Sequence, residues 1–138
     1  MNQEHEELEN NESKVVVDAS ALLAFIFSEP GGDRVLQYIS NASISSVNLS
    51  EVVTDLLKRG VDGVEVRKHL SQLPLDLIPF DAELAYEAAG LERYRKSHNL
   101  SLGDRACLSA GVNLKRKIIT ADTKWESLPL SVDIEIIR

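Results

Sequence analysis

The stretch VVVDASALLAFIF, residues 15–27, places an aspartate between two apolar segments of different character. Three consecutive valines favour a β-strand, because β-branched side chains fit the pleated surface of a sheet. The small residues Ala19 and Ser20 and the apolar run that follows them favour a helix. Asp18 therefore ends a strand that is predicted to be buried, where a charge is costly unless a partner or a cation compensates it.

Beyond this stretch, short apolar runs alternate with longer amphipathic segments, which is typical of a parallel α/β sheet. The predicted strands are 15–17, 43–47, 75–79, 117–120 and 132–137. The predicted helices are 20–28, 32–40, about 49–58, about 63–72, a long segment over 81–98 capped by Asp81, and 103–114. We expect a central, mostly parallel five-stranded sheet with helices packed against it.

Length and charge limit the organisation of the chain. Its 138 residues, of which 43% are apolar, are enough for one domain with one core. Five glutamates and one lysine in residues 1–14 account for −4 of the net charge of −7, which leaves −3 for residues 15–138. We expect the first segment to be a flexible acidic tail and the second to be the domain. The mildly acidic domain lacks the bulk positive charge of many nucleic-acid-binding proteins, so a polyanionic ligand would need local cations.

The lone cysteine and the short length of the apolar runs indicate where in the cell the protein is expected. Cys107 cannot form an internal disulfide and lies in an apolar helical pattern, which favours a buried thiol in a reducing environment. No stretch approaches the roughly 18 apolar residues of a membrane span, and the N-terminus has no signal-peptide core. We expect a cytoplasmic protein without a membrane segment.

Four acidic residues are predicted to meet at one edge of the sheet. Asp18 follows the first strand, and Asp122 follows the fourth. Glu51 and Asp104 are predicted in the first turns of the helices that follow the second strand and precede the fourth. The carboxyl ends of parallel strands and the neighbouring helix N-termini share one edge, which is where such sheets bind ligands.

Each of these acids, taken alone, also has a purely structural interpretation. Two of them match the spacing of a capping box, in which an acid at the third helical position binds back to the cap backbone. These pairs are Asn48 with Glu51 and Ser101 with Asp104. Asp18 suits a helix cap, and Asp122 suits a turn. Both interpretations stay open for each residue at this point.

Convergence of the four acids favours a cation. Carboxylates crowded at one edge repel one another and raise one another's pKa values unless a positive ion lies among them. Acids without histidine or cysteine partners favour a hard ion such as Mg²⁺ or Mn²⁺. Bound Mg²⁺ keeps several waters and can present one to a phosphodiester while neutralising the phosphate. An acidic pocket of this kind can therefore act on an anionic backbone.

Four sequence blocks resemble those of a known family. In order along the chain they are VVVDASALLAFIFSEPG (15–31), SSVNLSEV (45–52), LSLGDRACLSAG (100–111) and IITADTKW (118–125). They are similar to the blocks of PIN-domain ribonucleases, above all the VapC-type toxins of bacterial and archaeal toxin-antitoxin pairs. The resemblance covers residues 15 to about 137 and implies a three-layer PIN-like fold. The acidic tail is where the chain departs from the usual pattern.

The resemblance also implies a site and partners. Its metal-binding catalytic acids would be Asp18, Glu51, Asp104 and Asp122. Ser20 and Thr120 would be neighbouring hydroxyls that orient the carboxylates. The implied activity is Mg²⁺- or Mn²⁺-dependent hydrolysis of RNA that leaves a 5′-phosphate. The implied partners are an RNA substrate, a cognate antitoxin protein and a second copy of the chain in a homodimer.

Two other functions remain open from the sequence. One is a PIN-like RNA- or protein-binding module without nuclease activity, whose acids bind a partner or a structural cation. The other is a phosphatase of the haloacid-dehalogenase type, which also begins with a strand that ends in aspartate. That chemistry needs a second aspartate two positions after the first, where this chain has Ser20.

Overall fold

The computed structural model of the chain describes residues 14–138, so the predicted acidic tail, apart from Lys14, lies outside the described residues. The strands are β1 (Val15–Val17), β2 (Ala42–Ser45), β3 (Asp76–Ile78), β4 (Lys117–Thr120) and β5 (Ile134–Ile136). The α-helices are α1 (Ala19–Ile26), α2 (Gly32–Tyr38), α3 (Ser46–Lys58), α4 (Gly63–Ser71), α5 (Ala82–Gly90), α6 (Arg95–His98) and α7 (Leu102–Leu114). Short 3₁₀ segments lie at Ile39–Asn41, Leu91–Tyr94 and Thr123–Ser127.

The five strands form one sheet in the order β3-β2-β1-β4-β5, and every pairing is parallel. This confirms the predicted fold class. The chain builds outward from β1 to β3 and then crosses to the other side of β1 to add β4 and β5. Strand order therefore reverses at β1, and ligands bind beside the carboxyl ends of strands at such a reversal. Val17 pairs with Ile119, so the carboxyl ends of β1 and β4 are neighbours.

Two apolar clusters, one on each face, hold the sheet between layers of helices. Val15 and Val17 belong to one cluster with Leu22 of α1, and Val16 belongs to the other with Leu108 of α7. Successive side chains of a strand point to opposite faces, so a three-valine strand supplies both clusters. All three valines are at most 2% exposed. The run that the sequence predicts as a buried strand is thus the central strand of the sheet.

Helix α3 begins earlier than predicted. The hydroxyl of Ser45 accepts a hydrogen bond from the amide of Val47 at 3.3 Å, so Ser45 is the cap and β2 ends there rather than at residue 47. The prediction that Asn48 forms a capping box with Glu51 is therefore wrong. Glu51 lies in the second turn of α3, not in the first. Serine and asparagine are comparable caps, so the position of Ser45 at the end of β2 decides where the helix begins.

The long helix predicted over 81–98 is interrupted. Asp81 caps it as predicted, accepting from the amide of Leu84 at 3.0 Å, but α5 ends at Gly90 and a 3₁₀ segment follows. Glycine is a poor helix former, and the tighter turn carries the buried Leu91 toward the core. The guanidinium of Arg93 donates to the Gly90 carbonyl at 2.7 Å, which satisfies an acceptor at the break.

The described segment offers no route through a bilayer. None of the helices within residues 14–138 is both long and apolar enough to cross a membrane.

Candidate active site

Asp18 lies at the carboxyl end of β1 and is only 6% exposed. Its Oδ1 accepts hydrogen bonds from the Ala21 amide and the Ser20 hydroxyl, both at 2.8 Å. Its Oδ2 accepts from the hydroxyl of Thr120, at the end of β4, at 2.6 Å. Asp18 is thus the N-cap of α1, as its structural interpretation predicts. Three donors hold the carboxylate in one orientation at the reversal of the sheet.

Burial makes the charged form of the Asp18 carboxylate unfavourable. Burial raises the pKa of Asp18 from 3.8 to about 6, although the three hydrogen bonds lower it, and the charge of Asp104 adds to the rise. A shift in this direction means that desolvation outweighs the donors. The charge at the end of β1 is therefore only partly compensated by the protein.

Two hydroxyl groups join the ends of β1 and β4. The Ser20 hydroxyl accepts from the Ala121 amide at 3.0 Å while it donates to Asp18. The Thr120 hydroxyl accepts from the Asp122 amide at 3.0 Å while it donates to the other oxygen of Asp18. Thr120 is fully buried. Each hydroxyl thus connects the carboxylate to the backbone that leads to Asp122.

Glu51 reaches the same edge from α3. The side-chain amide of Asn48 donates to Glu51 Oε1 at 2.7 Å and to the carbonyl of Gly103 in α7 at 3.0 Å. Helical residues three positions apart lie on one face, so Asn48 supports Glu51 from the preceding turn. Neither Asn48 nor Gly103 was among the candidate residues. The signal was present in the sequence as an i, i+3 pair, but the same spacing also describes a cap.

Asp104 lies in the first turn of α7, as predicted. Its carboxylate accepts from the Ser101 amide at 2.9 Å, and its own amide donates to the Ser101 hydroxyl at 3.1 Å. The capping box predicted for this pair is therefore confirmed. An acid at this position is also favoured by the positive end of the helix dipole.

Asp122 is placed less centrally than the other acids. It caps the 3₁₀ segment after β4, accepting from the Lys124 amide at 3.0 Å. The Lys124 ammonium lies 3.7 Å from its other oxygen. Asp122 is connected to Asp18 through Thr120, whose hydroxyl contacts both residues.

The charges of three of the four acids act on one buried thiol. Burial raises the pKa of the Cys107 thiol well above its ordinary value, and the charges of Asp18, Asp104 and Glu51 raise it further. Side chains from β1, α3 and α7 therefore act on the same region. Within residues 14–138, no three His, Cys, Asp or Glu side chains form a ready-made metal site. The structure thus brings three predicted acids together without gathering them around one point.

The donor chemistry fits a hard divalent cation. Every candidate ligand is a carboxylate oxygen, and the partly compensated charge of Asp18 beside Asp104 is what a cation would neutralise. An ion here would be held by carboxylates and by water. That is the usual manner of Mg²⁺ binding.

An open groove of about 660 Å³ runs along α3 beside these acids. Glu51 lines it, together with Ser50, Asp55 and Phe80. Asp55 lies one turn beyond Glu51, but its carboxylate accepts from Arg59 at 2.8 Å. The groove therefore offers polar and aromatic side chains next to Glu51.

The chain matches the sequence model of one protein family, and its fold is similar to those of several solved structures. The chain matches the PIN domain family over residues 15–129. No curated protein sequence matches it. A toxin-antitoxin complex from Klebsiella pneumoniae contains a similar chain, with a TM-score of 0.68, 19% identity, and 84% of this chain and 93% of that chain covered.

Two further solved structures have the same fold. VapBC2 from Rickettsia felis, bound to a DNA fragment from its promoter, gives a TM-score of 0.66 at 16% identity, covering 88% of this chain and 96% of that one. DNA-bound VapBC from Salmonella typhimurium gives 0.68 at 14% identity with the same coverages. The family match spans both the strand that carries Asp18 and the segment that carries Asp122. This chain belongs to the PIN-domain family.

Proposed function

We propose that the protein is a metal-dependent endoribonuclease and the toxin of a VapBC-type toxin-antitoxin pair. The observation that carries this proposal is Asp18, a buried carboxylate whose pKa is raised to about 6 at the reversal of a parallel sheet. Perturbed pKa values cluster at functional sites, and ligands of parallel sheets bind where the strand order reverses. The likeness of the fold to chains of VapBC complexes supports the same function.

The candidate ligands of Mg²⁺ or Mn²⁺ are Asp18, Asp104, Glu51 and Asp122. When bound, the ion would neutralise charge on the phosphate and supply an activated water. Asp18 is the rigid member of the set because three donors fix its two oxygens. Hydrolysis adds water across the bond between phosphorus and the 3′ oxygen. One product then keeps a 5′-phosphate, and the other keeps a 3′-hydroxyl.

Ser20 and Thr120 act in this proposal by orienting Asp18. Each hydroxyl donates to a different oxygen of the carboxylate and accepts from the backbone after β4. Neighbours of this type hold metal ligands in the orientation that the ion requires. Lys124, close to Asp122, would contact RNA phosphates.

The proposed protein partners are an antitoxin and a second copy of the chain. A mostly apolar groove of about 390 Å³ lies between α1 and α4, lined by Phe25, Phe27, Val61 and Leu70. Grooves of this kind accept the apolar face of a partner helix. We assign this groove to the antitoxin and expect the toxin to act on RNA in the cytoplasm as a homodimer.

Metal removal tests the proposed activity. The purified full chain should cleave a mixed RNA pool with Mn²⁺ or Mg²⁺ and leave 5′-phosphate ends, which sequencing of the fragment ends would detect. Cleavage should stop in EDTA and return when Mn²⁺ is added in excess, because the acidic edge cannot stabilise an anionic transition state alone.

Three outcomes would contradict the proposal. Cleavage that continues in EDTA would exclude the metal mechanism. Failure to cleave any RNA while a partner protein is still captured would favour the binding module. Trapping of an acyl phosphate on Asp18 would instead favour the phosphatase.

Replacement of Thr120 tests the orienting role of the hydroxyls. Thr120→Val removes the donor to Asp18 Oδ2 and leaves the Asp122 amide without that acceptor, while it nearly conserves volume. We expect RNA cleavage to fall about tenfold or more, the scale seen when the partner of a metal ligand is lost. Thr120→Ser, which keeps the hydroxyl, should retain most of the activity. Equal activities of the valine and serine variants would refute the role.

A further inference from the structure

Asn48 connects two segments of the proposed site from a fully enclosed position. It is 1% exposed, and its side-chain amide uses both hydrogens, one for Glu51 Oε1 at 2.7 Å and one for the Gly103 carbonyl at 3.0 Å. Both partners are pure acceptors, so only the amide nitrogen can face them, and the orientation of the side chain is fixed chemically. One asparagine therefore ties the Glu51 carboxylate to the start of α7.

Gly103 completes the enclosure from the other side. A β-carbon at this position would lie 2.3 Å from Glu51 Oε2 and 2.5 Å from Oε1. Real β-carbons do not approach so closely, so any larger residue would force the glutamate to move. The carboxylate is thus held between the Asn48 amide and the bare α-carbon of Gly103, one residue before Asp104.

The position of Asn48 is unfavourable for stability alone. Its Oδ1 is buried and has no hydrogen-bond partner among the residues that the structure describes. A buried acceptor without a partner opposes folding, and asparagine is a weaker helix former than leucine. Leucine has nearly the same shape and would remove both penalties. An amide that fits poorly as a structural residue but closely matches a carboxylate indicates a role in the site.

We propose that Asn48 is a positioning residue that, with Gly103, fixes the Glu51 carboxylate beside Asp104 before metal binds. The inference rests on the proposed nuclease function and adds a residue to it. Glutamate has three rotatable side-chain bonds, so an unrestrained Glu51 would lose more freedom on ligation than the shorter aspartates. Asn48 removes that freedom in advance, which strengthens metal binding without contact between the asparagine and the ion.

Calorimetric titration of Mn²⁺ into the RNA-free full chain measures this effect directly. Asn48→Leu removes both donated hydrogens. The acceptors keep other partners, because Glu51 is exposed to water and the Gly103 carbonyl lies within a helix. We expect Asn48→Leu to weaken Mn²⁺ binding about tenfold without lowering the melting temperature. A purely structural asparagine would show the reverse pattern.

A double variant that also carries Glu51→Gln distinguishes positioning of the Glu51 carboxylate from a general role of Asn48 in folding. Glu51→Gln should itself weaken Mn²⁺ binding, and Asn48→Leu should cause no further loss when combined with it. Gly103→Ala approaches the same carboxylate from α7 and should also weaken binding, so it serves as the test if Asn48→Leu fails to fold. Gly63→Ala is the matched control in the first turn of α4, where a β-carbon meets only Leu57 at 3.7 Å.

The outcomes separate this inference from the proposed function. If Asn48→Leu and Gly103→Ala bind Mn²⁺ as wild type does while Glu51→Gln binds more weakly, the positioning role is refuted and the nuclease is not. An additive loss in the double variant, or normal binding by Glu51→Gln, also refutes the role. A wild-type protein that binds no Mn²⁺ and cleaves no RNA overturns the proposed function and the inference together.

Discussion

Asp18→Asn should reduce metal-dependent RNA cleavage about 10³-fold, because it removes a proposed ligand of the ion that would stabilise transition-state charge. The asparagine can still cap α1, because its carbonyl can accept from the Ala21 amide that the carboxylate now binds. What disappears is the buried negative charge at the reversal of the sheet. Measured initial rates on a defined RNA, with saturating Mn²⁺, give the comparison.

Asp62→Asn is the matched control for this variant. Asp62 is also a helix cap, accepting from the Val64 amide at 3.0 Å at the start of α4, but it is exposed. Its replacement removes the same charge from the same kind of cap and should leave cleavage unchanged. A residual activity in Asp18→Asn that matches this control would remove Asp18 from the mechanism.

Asp18→Asn should also stabilise the metal-free protein at neutral pH, by up to about 3 kcal/mol. The reason is that the pKa of Asp18 is raised from 3.8 to about 6 in the folded protein. A carboxyl whose folded pKa lies above its unfolded value favours folding while it is protonated. That contribution is complete below about pH 4 and is lost as the pH rises through about 6. Asparagine stays neutral at every pH, so the variant does not lose this stability as the pH rises.

Urea unfolding in EDTA across the range from about pH 4 to pH 8 tests this linkage. The free energies of unfolding of wild type and Asp18→Asn should differ least at the acidic end and diverge as the pH rises. Addition of Mn²⁺ should reduce the difference, because the ion binds the folded wild type and stabilises it by mass action. Parallel pH profiles would show that the buried carboxylate carries no such penalty.

Strands were the most predictable elements because their signal is local. Three β-branched residues in β1 and the KIIT run of β4 predict both strands with the bounds that the structure has. Helix ends were less predictable because several polar residues compete for one cap. Ser45 and Asn48 both precede the apolar face of α3, and only the end of β2 decides between them. The break at Gly90 depends on packing of Leu91, which no local pattern encodes.

The acidic edge was predictable as a set of positions but not as a geometry. Topology alone brings Asp18, Asp104 and Glu51 to one region, since strand ends and helix N-termini meet there. Sequence predicted the caps that Asp18 and Asp104 form, but it did not indicate that Asp122 pairs with Lys124. The roles of Asn48 and Gly103 depend on contact between α3 and α7, segments 55 residues apart in the chain. Long-range contacts of this kind leave no mark in local spacing.

The separation along the chain between Asp18 and Thr120 has a consequence for the timing of folding. Their hydrogen bond joins residues that are 102 positions apart, and β1 cannot pair with β4 until residues 117–120 have been synthesised. At about 5–20 residues per second, synthesis of the intervening segment takes on the order of 5 to 20 s. A nascent chain still attached to the ribosome therefore carries Asp18 long before the Thr120 hydroxyl that binds its Oδ2. The acidic edge is therefore incomplete, beside the ribosome's own RNA, until β4 and Asp122 have been synthesised.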